Sequence, residues 1–135
     1  IVTGADLTER NAQEQLYEIL RRWRPLCVVM GPPCTTFSHW SHVNKIYYPD
    51  SYAHQRAIGT ALAKVAAKVA QIQANGGRYF VLEQPAGSKM FSLPCMRTLL
   101  HNGDIDNVTF PQCALGLVID GAPILKRTAI CTRSV

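Results

Sequence analysis

The sequence predicts an α/β fold with a mainly parallel sheet and flanking helices, because short apolar runs alternate with helical patterns. Residues 26–30 and 78–82 are largely apolar, rich in β-branched or aromatic side chains, and each run is followed by a proline turn. Between them, residues 51–75 carry apolar side chains at helical spacing, which is typical of a crossover that joins two parallel strands. We expect the whole chain, residues 1–135, to form a single domain.

The predicted elements begin at the amino terminus with a short strand in residues 1–7 that has a polar end. A helix with one apolar face follows from Asn11 and is stopped by Pro25, since proline cannot continue a helix. The buried strand that contains Cys27 comes next. Residues 39–50 are predicted to form a loop.

The long helix is predicted to run from about residue 51 to residue 75, where Asn75-Gly76-Gly77 provides a C-terminal stop. The second strand follows it. Three shorter elements are then expected: a helix at residues 94–102 and strands at residues 107–110 and 124–131.

Each of the two principal strands ends in a side chain that could take part in chemistry. Gly31-Pro32-Pro33-Cys34 presents a thiol in a loop that proline restrains, and Glu83 presents a carboxylate just before the second proline turn. Because neighbouring parallel strands have their carboxyl ends at the same sheet edge, Cys34 and Glu83 are expected to face one cleft. The alternative interpretations are a small buried cysteine and a carboxylate that caps a turn.

The segment GPPCTTFS resembles the catalytic Pro-Cys loop of cytosine-C5 methyltransferases, and FVLEQP resembles the glutamate motif of that family. Two weaker matches follow the same order along the chain. Gly4-Ala5-Asp6-Leu7 is similar to the acidic strand end that contacts the adenine of S-adenosylmethionine, and residues 125–130 are similar to the arginine-bearing strand that supports the target base. The resemblance covers most of the chain and implies a partial Rossmann-like methyltransferase fold.

The resemblance also implies roles for individual residues. The Cys34 thiolate would add to C6 of cytosine, and Glu83 would hydrogen-bond N3 and offset the charge that develops on the base. Arg127 would steady the base or Glu83, while Asp6 and Pro33 would contribute to the S-adenosylmethionine pocket. Nucleic acid is therefore the expected partner, with the target base flipped out or already single-stranded.

The segment after the Pro-Cys motif closes over the flipped base in the family that this chain resembles. Here it contains Ser38, His39 and Lys45 together with several aromatic residues, a composition that suits contact with phosphates and exposed bases. We therefore interpret Ser38, His39 and Lys45 as substrate-binding residues. The alternative is an ordinary surface loop whose aromatic side chains pack against the core.

The chain also departs from the family pattern. No G-x-G turn opens a helix, so missing N-terminal sequence or a second chain is expected to supply the main cofactor-binding half. Gln84 replaces the usual asparagine that braces the catalytic loop, and Leu125 stands where a second arginine is expected. Two functions remain open: a methyltransferase catalytic segment that is incomplete alone, and a nucleic-acid-binding or assembly module that kept the fold. A cysteine hydrolase is a weaker alternative, because no motif ties a histidine to Cys34.

Composition narrows the class of protein. The five cysteines form no CxxC pairs, which favours reduced thiols in an intracellular protein over a disulfide framework. The spacing of His39 and His42 relative to Cys34 fits no standard zinc site, so no metal is expected. No apolar run is long enough to cross a membrane. The net charge of +5 fits either a polyanionic partner or a solvated basic face without a partner.

Overall fold

The structure, a computed structural model, describes residues 4–38 and 40–134 of the chain. These residues contain four α-helices: α1 (Arg10–Trp23), α2 (Ser41–Tyr47), α3 (Pro49–Asn75) and α4 (Pro94–Leu100). They also contain six strands: β1 (Cys27–Met30), β2 (Tyr79–Pro85), β3 (Ile105–Pro111), β4 (Val118–Ile119), β5 (Ala122–Pro123) and β6 (Arg127–Arg133). The predicted α/β class with flanking helices is confirmed.

The main sheet has the strand order β1-β2-β6-β3, and β4 and β5 form a separate hairpin. β1 and β2 are parallel, as predicted, whereas β6 is antiparallel to both of its neighbours, β2 and β3. The predicted mainly parallel sheet is therefore wrong, since two of the three strand pairs are antiparallel. The described residues between β3 and β6 form a 3-10 turn and the β4–β5 hairpin, and a return without a crossover helix produces an antiparallel partner.

Two further predictions differ from the structure near the first strand. The strand predicted in residues 1–7 lies partly outside the described residues, and residues 4–7 form no strand. The loop predicted at residues 39–50 is wrong, because α2 occupies its centre and α3 begins within it at Pro49. Proline is well suited to the first position of a helix, where its missing N–H has no intrahelical partner to lose.

Helix α3 lies at the centre of the fold and contributes to two apolar clusters. One cluster contains small side chains of α3 packed against Leu82 of β2 and against α4. The other contains Val65 and Val69 of α3 packed against Leu20 of α1 and against β1. Because both clusters use the same face of the paired strands, α1, α3 and α4 all pack on one face of the sheet. Val29, on the opposite face, is 75% exposed.

Every buried side-chain nitrogen and oxygen among the described residues has a hydrogen-bond partner. Satisfied polar groups are the normal condition of a packed interior. None of the described helices combines the length and the apolar character needed to cross a lipid bilayer.

Candidate functional site

The two proline loops leave the same edge of the sheet. Met30, the last residue of β1, pairs with Leu82 of β2, so the chain continues from this edge to Cys34 on one side and to Pro85 on the other. The predicted proximity of the two strand ends is confirmed. A pocket of about 180 Å³ lies between the loops and is lined by Cys34, Ser38, Trp40, Pro85, Ala86, Gly87 and Ser88. This volume is below the roughly 300–1,000 Å³ of sites for drug-sized ligands, so the pocket suits a single ring.

Cys34 is a free, half-buried cysteine in the wall of this pocket, which we call the Cys34 pocket. Its carbonyl accepts a hydrogen bond from the Phe37 amide at 2.9 Å, which closes a 3-10 turn over Thr35–Phe37. Phe37 is fully buried in the core cluster that includes α3, and Gly59 of α3 approaches this turn closely. A Cβ atom at Gly59 would lie 2.9 Å from the Thr36 hydroxyl oxygen. The turn that follows Cys34 is thus packed directly on α3.

Gln84 connects the two loops around the pocket. Its side-chain Nε2 donates to the Pro32 carbonyl at 2.6 Å, and its Oε1 accepts from the Ser88 hydroxyl at 3.0 Å. Ser88 Oγ in turn accepts from the Met90 amide at 3.3 Å. Gln84 is only 1% exposed, so these bonds lie in a region where an unmade bond is costly. Gln84, which stands where the family that this chain resembles has an asparagine, thus contacts the Pro-Cys loop through Pro32.

Glu83 precedes Gln84 in β2 and, because side chains alternate along a strand, projects from the opposite face of the sheet. It is half-buried and lies opposite Ile130 of β6 in the antiparallel register. The wall of the Cys34 pocket is formed by the loop after Glu83 rather than by the Glu83 side chain. A shared cleft for the Cys34 thiol and the Glu83 carboxylate therefore stays a prediction.

Arg127 begins β6 beside the same sheet edge. Its carbonyl accepts a hydrogen bond at 3.0 Å from the amide of Ala86, which lines the Cys34 pocket, while its side chain is exposed. The neighbouring Thr128 is buried, and its hydroxyl oxygen accepts from Gln112 Nε2 at 2.7 Å. The structure thus brings the Arg127 backbone to the edge that carries the two loops, and Gln112 fixes the start of its strand.

Pro33 lines a second pocket, of about 390 Å³, between α1, α3 and β1. Its described lining is entirely apolar or glycine: Leu7, Leu16, Val28, Val29, Met30, Gly31, Pro32, Pro33, Leu62, Val65, Ala66 and Val69. Such a surface fits an adenine ring, but its side chains offer no partner to ribose hydroxyls or to the amino and carboxylate groups of S-adenosylmethionine. The described residues therefore do not make a complete site for that cofactor.

Asp6, the other predicted cofactor-binding residue, lies next to Leu7 in sequence but does not itself line this pocket. Its carboxylate accepts hydrogen bonds from the Thr8 hydroxyl at 2.7 Å and the Thr8 amide at 2.9 Å. These two bonds lower the pKa of Asp6, the hydroxyl making the larger contribution. Asp6 is exposed and forms a local turn before α1.

The three predicted substrate-binding residues do not come together. Ser38 lines the Cys34 pocket, and its hydroxyl donates to the Thr35 carbonyl at 3.1 Å. Lys45 lies on α2 and lines a different groove of about 810 Å³ between α1, α2 and α3. His39 lies outside the described residues.

Sequence reasoning missed Trp40 and Ser88 as pocket residues. Trp40 is one of the aromatic residues of the segment that follows the Pro-Cys motif; it is 79% exposed and stands six residues after Cys34. The signal for Ser88 is its place after Pro85-Ala86-Gly87, a turn in which a hydroxyl commonly bonds nearby polar groups. In residues 4–38 and 40–134, no three side chains of the metal-binding types cluster as ligands.

A comparison with protein-family models, with curated proteins and with solved structures finds no match for this chain.

Proposed function

We propose that this chain is a cytosine-C5 methyltransferase-like catalytic segment with a partial Rossmann-like fold, in which Cys34 attacks a cytosine of a nucleic acid. The observation that carries the proposal is the bracing of two loops by one buried side chain. Gln84 holds the Pro-Cys loop through Pro32 and the second proline turn through Ser88, with a half-buried free thiol beside a ring-sized pocket. Such bracing fixes a nucleophile relative to a bound base.

The proposed reaction starts when the Cys34 thiolate forms a bond from sulfur to C6 of cytosine. The electron pair of the C5–C6 double bond then moves to C5, while a hydrogen bond from Glu83 to N3 offsets charge on the ring. S-adenosylmethionine, when bound, would supply the methyl group to C5. The apolar pocket beside Pro33 could hold only the adenine ring of that cofactor. Contacts to its ribose, amino and carboxylate groups would come from other residues or from a partner.

Exchange of the cytosine C5 hydrogen in deuterium oxide tests the attack without a methyl donor. After sulfur adds to C6, C5 takes a deuteron from solvent. Loss of the original C5 proton and departure of the thiolate then restore cytosine with deuterium at C5. We expect single-stranded cytosine oligonucleotides to gain one mass unit per exchanged base, by mass spectrometry.

Cysteine variants provide the control. Cys34→Ser should reduce exchange to the rate of the oligonucleotide alone, whereas Cys95→Ser, which removes another half-buried thiol, should stay within about twofold of the original rate. Equal exchange rates in the Cys34→Ser variant and the original protein would rule out Cys34 as the nucleophile.

A non-catalytic nucleic-acid-binding module is the second candidate, and the apolar pocket beside Pro33 favours it, since this pocket lacks polar side chains for the cofactor. This candidate predicts oligonucleotide binding with no C5 exchange by any variant. The two candidates are therefore separated by measuring binding and exchange on the same oligonucleotide.

A further inference from the structure

The groove between α1, α2 and α3 has a basic lining. Its volume is about 810 Å³, and its described lining residues are Gln13, Lys45, Pro49, Tyr52, Ala53, Arg56, Ala57, Thr60, Ala61 and Lys64. Three of these side chains are cationic and none is a carboxylate. An opening with one sign of charge attracts ligands of the opposite sign. We call this opening the basic groove.

Arg56 is held in place within the basic groove without losing its charge. Its Nη1 donates to the Thr36 carbonyl at 2.7 Å, and its guanidinium carbon lies 4.4 Å from the centre of the Phe37 ring. Both partners are uncharged, so neither neutralises the guanidinium. A planar guanidinium held in position in this way has the donor geometry that suits a phosphate.

Lys45 and Lys64 extend the same charge along the groove. Lys45 is on α2, Lys64 is on α3, and both side chains are exposed. Tyr52 and Lys64 are twelve positions apart on α3, which corresponds to about 18 Å of helix. At a stacked spacing of about 3.4 Å per nucleotide, this length matches roughly five nucleotides of one strand.

Exposed aromatic side chains lie in the segment between the basic groove and the Cys34 pocket. Trp40, Tyr47 and Tyr48 are 79%, 71% and 68% exposed. Trp40 lines the Cys34 pocket, and Lys45, on the following helix, lines the basic groove. Flat aromatic surfaces beside a basic track are the usual means by which proteins bind single strands without sequence preference.

We infer that the basic groove binds the phosphate backbone of a single-stranded nucleic acid, whose bases stack on Trp40, Tyr47 and Tyr48, the exposed aromatic side chains in and beside α2, which we call the α2 segment. The strand would run between the groove and the Cys34 pocket. This inference and the proposed function both take nucleic acid as the ligand. The inference does not depend on any reaction at Cys34.

Salt-dependent binding of a fluorescein-labelled oligodeoxythymidine tests the inference by anisotropy. The double variant Lys45→Gln/Lys64→Gln removes two proposed phosphate contacts. The slope of log K against log salt should fall by about 1.4, since each contact to a single strand contributes about 0.7. Affinity should fall on the order of tenfold at moderate salt.

The matched control is Lys68→Gln/Arg97→Gln, which removes the same charge from two exposed helical positions outside the groove. Its salt slope should stay within about 0.3 of the original protein. Equal loss in both double variants would overturn the groove assignment, as would the absence of binding by the original protein. Tighter, groove-dependent binding of polyglutamate than of oligodeoxythymidine would also overturn it.

One further variant completes the test. In a Trp23→Phe background Trp40 is the remaining tryptophan, and its fluorescence should be quenched when the oligonucleotide stacks on the α2 segment. Unchanged fluorescence at saturation would overturn the proposed stacking. Binding and C5 exchange are measured on the same oligonucleotide, so a protein that binds through the groove but shows no C5 exchange refutes the proposed function and retains this inference.

Discussion

Gln73 and Gln84 lie at opposite ends of the parallel pair formed by β1 and β2, and their side chains are only 0% and 1% exposed. Gln73 Nε2 donates to the carbonyls of Pro25 and Tyr79, each at 2.9 Å, and its Oε1 accepts from Arg78 Nε at 2.9 Å. Gln73 therefore connects the residues at the amino ends of β1 and β2. Gln84 connects the loops that follow the same two strands.

The difference between the two ends lies in what each glutamine holds. At the entry end the bonded groups are backbone carbonyls and an arginine, none of which lines the Cys34 pocket. At the exit end the bonded groups belong to loops that form this pocket. The same side-chain chemistry is thus expected to support stability at one end and positioning of Cys34 at the other.

Replacing Gln73 by methionine should produce the largest loss of stability. Methionine keeps nearly the same shape, but two carbonyls and the Arg78 Nε lose their partner, so the free energy of unfolding should fall by about 2–4 kcal/mol. Urea denaturation followed by circular dichroism measures this change. Gln71→Met on the same helix, where the amide bonds only exposed Asn75, should cost less than about 0.5 kcal/mol.

Replacing Gln84 by methionine should lower both the free energy of unfolding and the rate of C5 exchange. The variant leaves the Pro32 carbonyl and the Ser88 hydroxyl without this partner, at a cost of about 1–2 kcal/mol in unfolding free energy. Because the Pro-Cys loop loses its brace, C5 exchange should fall at least about tenfold at temperatures where the variant is folded. An exchange rate equal to that of the original protein would show that Gln84 has only a structural role.

The parallel strand pair and the long helix could be predicted because the residues that determine them are close together in the sequence. The run Cys27–Met30 is apolar and ends at Gly-Pro-Pro, and α3 has a sustained apolar period followed by two glycines. The position of β6 between β2 and β3 depends on pairing between strands that are far apart in the sequence. The local residue pattern of a strand does not indicate which distant strand it pairs with. The α2 helix was missed because Ser41–Tyr47 is only 7 residues long, too short to repeat an apolar pattern over several turns, and buries only Ser41.

The candidate site follows the same division. Cys34 could be identified from the proline loop that contains it, since proline and the end of an apolar run are local signals. The basic groove could not, because it joins Lys45 of one helix to Arg56 and Lys64 of another. Only tertiary packing places these charges together.

Between the two polar ends, the core of the strand pair is apolar, and the thiol of Cys131 lies there opposite Leu82. Burial, and secondarily the charge of Asp106, raises the pKa of Cys131 to about 12. An unfolded chain would lose this proton near pH 9, so above that pH the unfolded state binds fewer protons and stability falls as pH rises.

The smallest predicted effect follows from that thiol. The contribution of Cys131 to unfolding free energy should decrease by less than about 1 kcal/mol between pH 7.5 and 9.5. Cys131→Ala should remove this part of the pH dependence, whereas Cys27→Ala, at an exposed position, should retain it. Urea denaturation at the two pH values provides the measurement. An unchanged pH dependence in Cys131→Ala would mean that the Cys131 thiol is accessible to water. The middle of the strand pair would then be hydrated, and not only the two ends where Gln73 and Gln84 lie.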